Sequence, residues 1–184
     1  MTSFKFNYCK ATQAAACVLR QQKSRQMNYY RLLKLLYIAD RRSIEKIGRP
    51  ISGGRYVAMD RGPLQSPMLD LINGKDISSP DWMSLFRKDH YDVEMINDPG
   101  NGDLSSFEID LLNGIVAEFE DFDDYEVGEQ THTFAEFVQN RPRKGSSRTI
   151  SAEDVIRAVG RDSDCEAILR DARERAVFDR VFGG

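Results

Sequence analysis

Between two polar breaks, residues 28–48 carry Leu32, Leu35, Leu36 and Ala39 at the i, i+3, i+4, i+7 spacing of one helical face. Asn28 is placed to cap that helix, and Gly48 followed by Pro50 to stop it. Upstream, Phe6, Cys9, Ala14, Cys17 and Val18 fall near helical spacing and predict a first helix over residues 5–22, followed by the polar break QKSRQ. Residues 55–59 are β-prone and bounded by Gly53, Gly54 and Gly62, which predicts a strand. Residues 91–96 alternate as a half-buried partner strand would, so one small antiparallel sheet is expected. Between them, Ser66-Pro67 opens a brief helix ending at Asn73-Gly74, and residues 75–88, with Trp82, read as irregular.

After the turn cluster NDPGNGD, Ser105 and Glu108 stand at capping-box spacing. Phe107, Leu111, Ile115 and Phe119 then form an i, i+4 stripe expected to be the core of the domain. Ser151 with Asp154 starts a further helix over residues 152–159, closed by Gly160. A last helix runs from about residue 164 to 182, with opposite charges at i, i+4 in Arg170/Glu174 and Asp171/Arg175. The pattern predicts a mainly α, single-domain helical fold with a small antiparallel β-sheet (α+β) over residues 1–184. A chain of 184 residues that is 41% hydrophobic has apolar material for one sizeable core.

The net charge of −3 hides a segregation: residues 89–140 hold fifteen Asp and Glu and no Lys or Arg, leaving 26 basic against 14 acidic residues elsewhere. An acidic face and basic stretches at residues 20–46 and 141–148 either meet partners of opposite charge or satisfy one another inside the fold. Cys9, Cys17 and Cys165 form no CxxC pair and suit small core positions in a reducing cytoplasm. No run of about 18 apolar residues occurs, so no membrane association is expected.

Most enzymatic chemistries find no signal. His90 and His132 have no further ligand at zinc spacing, no phosphate-binding glycine loop is present, and Gly100-Asn101-Gly102 reads as a polar turn, so neither metal nor cofactor is expected. The carboxylates from Glu118 to Glu126 are too densely charged for an acid/base pair, and serine lacks the GxSxG elbow. A non-enzyme is expected. Residues 152–182 resemble a helix-turn-helix in outline, which with residues 141–148 makes a DNA-binding regulator the alternative, although Asp162, Asp164 and Glu166 would face the phosphates. The terminal Gly183-Gly184 reads as a frayed end.

From Leu35 to Ile72 the chain reads LLYIADRRSIEKIGRPISGGRYVAMDRGPLQSPMLDLI. The KLLYIAD helix, the GRPI turn, the RYVAM strand and the GP step before a short helix resemble, in order and spacing, the signature of the Panacea domain family, the SocA-like antitoxins. The likeness continues through LSSFEIDLLNGIVAEF and Thr131-His132 to ISAEDVI; Arg61 stands where an aromatic is common and Phe137 where a Trp is expected. The resemblance implies a cytoplasmic antitoxin that binds and neutralises a cognate protein toxin, in some relatives as an adaptor handing it to an ATP-dependent protease. The segment 48–63, rigid through its glycines and prolines, would present Arg49, Arg55, Tyr56 and Arg61 to a partner, with Asp123, Asp124 and His132 as further contacts. The plainer readings stay open: the segment fixes the fold, Asp40 pairs with an arginine, Tyr56 buries its ring, and His132 is a hydrogen-bonded helix-end residue.

Overall fold

The computed structural model describes residues 4–182, so the frayed end expected at Gly183-Gly184 lies outside the described residues. Asn7 accepts from the Lys10 amide and starts α1 (Tyr8–Arg20), whose alanines allow close packing. The polar break holds a short strand, β1 (Gln26–Asn28). Asn28 then caps α2 (Tyr29–Ile47) through the Tyr30 amide, and Gly48 ends it at φ 73°, as the pattern predicts. From Leu32 to Asp40 every residue of α2 is buried, so the helix is enclosed on all sides and the remaining elements are laid around it.

β2 (Tyr56–Met59) and β3 (Gly62–Gln65) form a hairpin, followed by α3 (Ser66–Ile72) with Pro67 in its first turn. The segment expected to be irregular instead forms α4 (Ser79–Leu85) and β4 (Phe86–Asp89), because Trp82 stacks on Phe86 at 4.0 Å and both rings are buried. β5 (Asp92–Met95) follows, then α5 (Ser106–Glu118) with the complete Ser105/Glu108 capping box. The acidic run does not merely end a helix: Asp123 and Glu126 form a capping box that opens α6 (Asp124–His132). α7 (Ala135–Gln139), β6 (Arg148–Ile150), α8 (Ala152–Ala158) with its Ser151/Asp154 box, a 3-10 turn at Asp162–Asp164, and α9 (Cys165–Phe182) complete the order.

The class is mainly α with antiparallel sheet, but the described residues form two three-stranded sheets, ordered β3-β2-β6 and β1-β5-β4. The strand at residues 91–96 therefore does not partner the one at 55–59; each finds neighbours that are too short or too polar to read as strands alone. The α5 stripe is also corrected: Phe107 and Leu111 are only half-buried, and the inward face carries Glu108, Leu112, Ile115, Val116 and Phe119. The domain core is centred on α2 rather than on α5. Of the α9 charge pairs, Asp171/Arg175 forms at 2.9 Å and Arg170/Glu174 does not form. Cys17 and Cys165 are buried, whereas Cys9 is exposed.

Among the described residues, Asp40 pairs with no arginine, contrary to one of the plainer readings. Its carboxylate is 1% exposed and accepts from the amides of Ile51 and Ser52 at 2.9 Å and of Gly53 at 2.8 Å, from the Tyr56 hydroxyl at 2.9 Å and from Gln65 Nε2 at 2.5 Å. Gly53 (φ 68°) turns its amide toward the acid at a place where an added Cβ would stand 2.7 Å from the Lys5 carbonyl oxygen. Burial raises the Asp40 pKa, and the amide and hydroxyl donors oppose that rise. Asp40→Asn keeps the shape but turns an NH2 group toward these donors. It is expected to lower stability by about 3 kcal/mol, read as a fall in the urea midpoint with unchanged slope; an unchanged midpoint would show that the charge is not needed.

Candidate functional site

Tyr30 lies in the first turn of α2, half-buried, with its hydroxyl donating to the Arg61 carbonyl at 2.8 Å and the Arg61 guanidinium 6.0 Å from its ring centre. Gly128 of α6 makes room for it: an added Cβ there would stand 2.2 Å from the Tyr30 hydroxyl oxygen. One turn further along α2, Lys34 is fully buried, its amine 5.1 Å from the same ring centre and donating to the Pro63 carbonyl at 2.7 Å. No carboxylate pairs with it among the described residues, and burial pushes its pKa down to about 7. The β2–β3 turn closes directly over the amine. At Gly62 (φ 98°) an added Cβ would meet Thr131 Oγ1 at 2.7 Å, Lys34 Nζ at 2.9 Å and His132 Cδ2 at 3.0 Å.

His132 closes the site from the end of α6. Its Nδ1 lies 3.0 Å from Glu129 Oε1, its ring stacks on Phe137 at 4.9 Å, and its buried Nε2 has no partner. Next on the same α2 face, the Tyr37 hydroxyl at 3.0 Å and Arg41 Nε at 2.8 Å donate to the buried Glu136, while Arg41 also covers the Phe134 ring at 4.3 Å. Tyr30, Lys34, Tyr37 and Arg41 thus form an i, i+4, i+7, i+11 line of polar groups docked on α6 and α7. Such a line fixes one register between the helices, since sliding would leave a buried donor or acceptor unpaired.

The structure divides the residues singled out in the sequence. Arg61, Asp124 and His132 gather around Tyr30 and Lys34, with Asp123 beside them as the cap of α6 and Asp124 3.6 Å from Arg31 Nη1. Tyr125 adds an exposed ring to this surface. Arg49 is exposed on a different face, in a cleft of about 630 Å³ between the N-terminal segment and α9. Arg55 is also exposed and donates to Ser66 Oγ at 2.9 Å. Tyr56 is 2% exposed with its hydroxyl committed to Asp40, so it is absent from any surface here. Tyr30 and Lys34 were not legible as site residues, although a lysine inside the run LLKLLYIA is itself a signal, because a cation there must be buried with the helix.

The family model described as Antitoxin SocA-like, Panacea domain, matches residues 32–136. The chain belongs to this family. No curated protein and no solved structure matches it. The Panacea segment runs from the second turn of α2 to Glu136, so it contains Lys34, the Asp40 loop, the β2–β3 turn and all of α6. Tyr30, α1, β6, α8 and α9 lie outside it, and the signature's GRPISGG is the stretch whose amides bind Asp40.

Among the described residues, no group of three His, Cys, Asp or Glu side chains could hold a metal, and no helix is long and apolar enough to cross a membrane. Arg157 in the last turn of α8 and Arg161 just after it are paired with Asp162 and Asp164.

The buried amine has a measurable consequence. Between the folded pKa near 7 and the higher value of an unfolded lysine, the unfolded chain binds more protons, so raising the pH across that window removes a cost of folding. Lys34→Met is therefore expected to melt well above the parent at pH 6 and to lose much of that advantage by pH 9, measured by thermal unfolding at both values. A pH-independent gap would mean that the amine is not desolvated.

Proposed function

We propose that this chain neutralises a cognate protein toxin by binding it directly, acting without catalysis, and that the contact surface is the rigid patch of Tyr30, Arg61, Tyr125, Asp124 and His132. Membership of an antitoxin family carries the reading. It is supported by the character of the patch: tyrosine and arginine are the side chains that most often dominate binding energy, and here they are held in place before any partner arrives. Tyr30 is fixed by the Arg61 carbonyl below and by the absent side chain of Gly128 beside it. Delivery of the bound toxin to a cytoplasmic ATP-dependent protease is the second part of the proposal, and it would shorten the toxin's half-life.

The test is co-expression with the neighbouring gene. That gene alone should arrest growth, and this chain should restore growth and co-purify with the product. Gly128→Ala improves helix propensity by about 1 kcal/mol yet evicts the Tyr30 hydroxyl, so it should weaken rescue while leaving the melting temperature close to that of the parent. Arg61→Glu should do the same. A harmless neighbour that does not co-purify overturns the reading; full rescue by both variants moves the interface elsewhere.

A further inference from the structure

The segment without Lys or Arg is drawn onto the basic helices by ion pairs, but not completely. Lys10 takes Glu108, Arg20 takes Asp98, Arg31 takes Asp124, Arg41 takes Glu136 and Arg42 takes Glu118. What is left over is not scattered evenly. Among the described residues, Glu120 and Asp121 stay unpaired and exposed in the link between α5 and α6, next to the exposed Tyr125, and Asp110 stands alone on α5.

That link forms one wall of a cleft of about 880 Å³ lying between the α1–β1 turn, the start of α2 and the end of α5. Its apolar lining includes Met27, Leu35, Val116 and Phe122, and its acidic wall holds Glu120, Asp123 and Asp124. The cations in it do not cancel the wall. Arg31 is spent on the carbonyls of Phe119 and Phe122, both at 2.5 Å, and on Asp124, which leaves Lys23 as the other cation lining the cleft against Glu120 and Asp123. The cleft is continuous with the Tyr30 patch, since Asp124 and Tyr125 border both.

We infer that this cleft receives a Lys/Arg-bearing segment of the toxin, with an apolar side chain seated against Ala117 and Phe122 and its cations against Glu120 and Asp123, with Asp121 beside them in the link. The inference rests on the proposed toxin binding and names the part of the partner that is held. The acidic wall speeds encounter with a basic surface and selects against acidic ones, while the apolar floor slows release.

The experiment is a binding titration of the co-purifying toxin against the whole chain at low and high salt. The charge variant Glu120→Lys/Asp121→Lys should weaken binding by about tenfold or more at low salt, with the difference shrinking at high salt as screening takes over. Ala117→Trp, which fills the cleft without changing charge, should weaken binding at both salt concentrations. Glu174→Lys, on the exposed face of α9, should leave binding unchanged, and equal melting temperatures would establish that each variant is folded. If the toxin binds the parent and both cleft variants equally, the cleft is not the dock while toxin binding stands. If the parent itself binds no toxin, the proposed function falls and this inference with it.

Discussion

A carboxylate stripped of water and given no cation is costly, and this fold is organised around one. Asp40 sits on the central helix where several kcal/mol of desolvation must be offset by hydrogen bonds alone. Three successive backbone amides, a tyrosine hydroxyl and a glutamine amide supply them, and each comes from a different place in the next 25 residues. The acid therefore acts as a hub: it ties the loop after α2, the first residue of β2 and the last of β3 to one point. The β2–β3 hairpin held in this way is the one whose turn lies over Lys34 and presents Arg61. Asp40 is not itself in the candidate site, but the site's geometry hangs from it.

The two buried ionisable groups of α2 are handled in opposite ways. Asp40 meets a loop rich in donors, and the oriented amides stabilise its charged form. Lys34 meets only one carbonyl and the Tyr30 ring, too few partners to replace the water it loses, so burial favours the neutral amine. The charged side chains that remain at the rim of the helix, Arg31, Arg41 and Arg42, reach outward and hold α5, α6 and α7 by their carboxylates and carbonyls. Part of the charge segregation along the sequence is thus consumed in joining the acidic half of the chain to the basic half, through Glu94, Asp98, Glu108, Glu118, Asp124 and Glu136. Exposed pairs of this kind contribute little stability each; the buried Glu108 and Glu136, with their partners, do more to set register.

What could be read from the sequence was what local rules decide. Asn28 and Gly48 bracket α2 because caps act within one turn, and the Ser105/Glu108 and Ser151/Asp154 boxes appear where spacing places them. The Asp123/Glu126 box obeys the same rule and was hidden by its own surroundings, since in a run of acids a capping acid looks like any other. Strand pairing was beyond reach: Gln26–Asn28 is too polar to look like a strand and acquires its identity only from Asp92–Met95, far along the chain. The same holds for the site. Arg61, Asp124 and His132 could be named one by one, but that they meet at Tyr30 depends on how α6 docks on α2, and that Tyr56 turns inward depends on Asp40.

The lid over Lys34 also makes the molecule legible to chemistry. An amine with its pKa lowered to about 7 is intrinsically quicker to acylate than an ordinary lysine, yet this one is sealed beneath Gly62 and Pro63. Its labelling by a small amine-directed reagent can proceed only through moments when the hairpin lifts. The rate at which that one lysine is marked is therefore a clock for local opening of the surface around Tyr30 and Arg61.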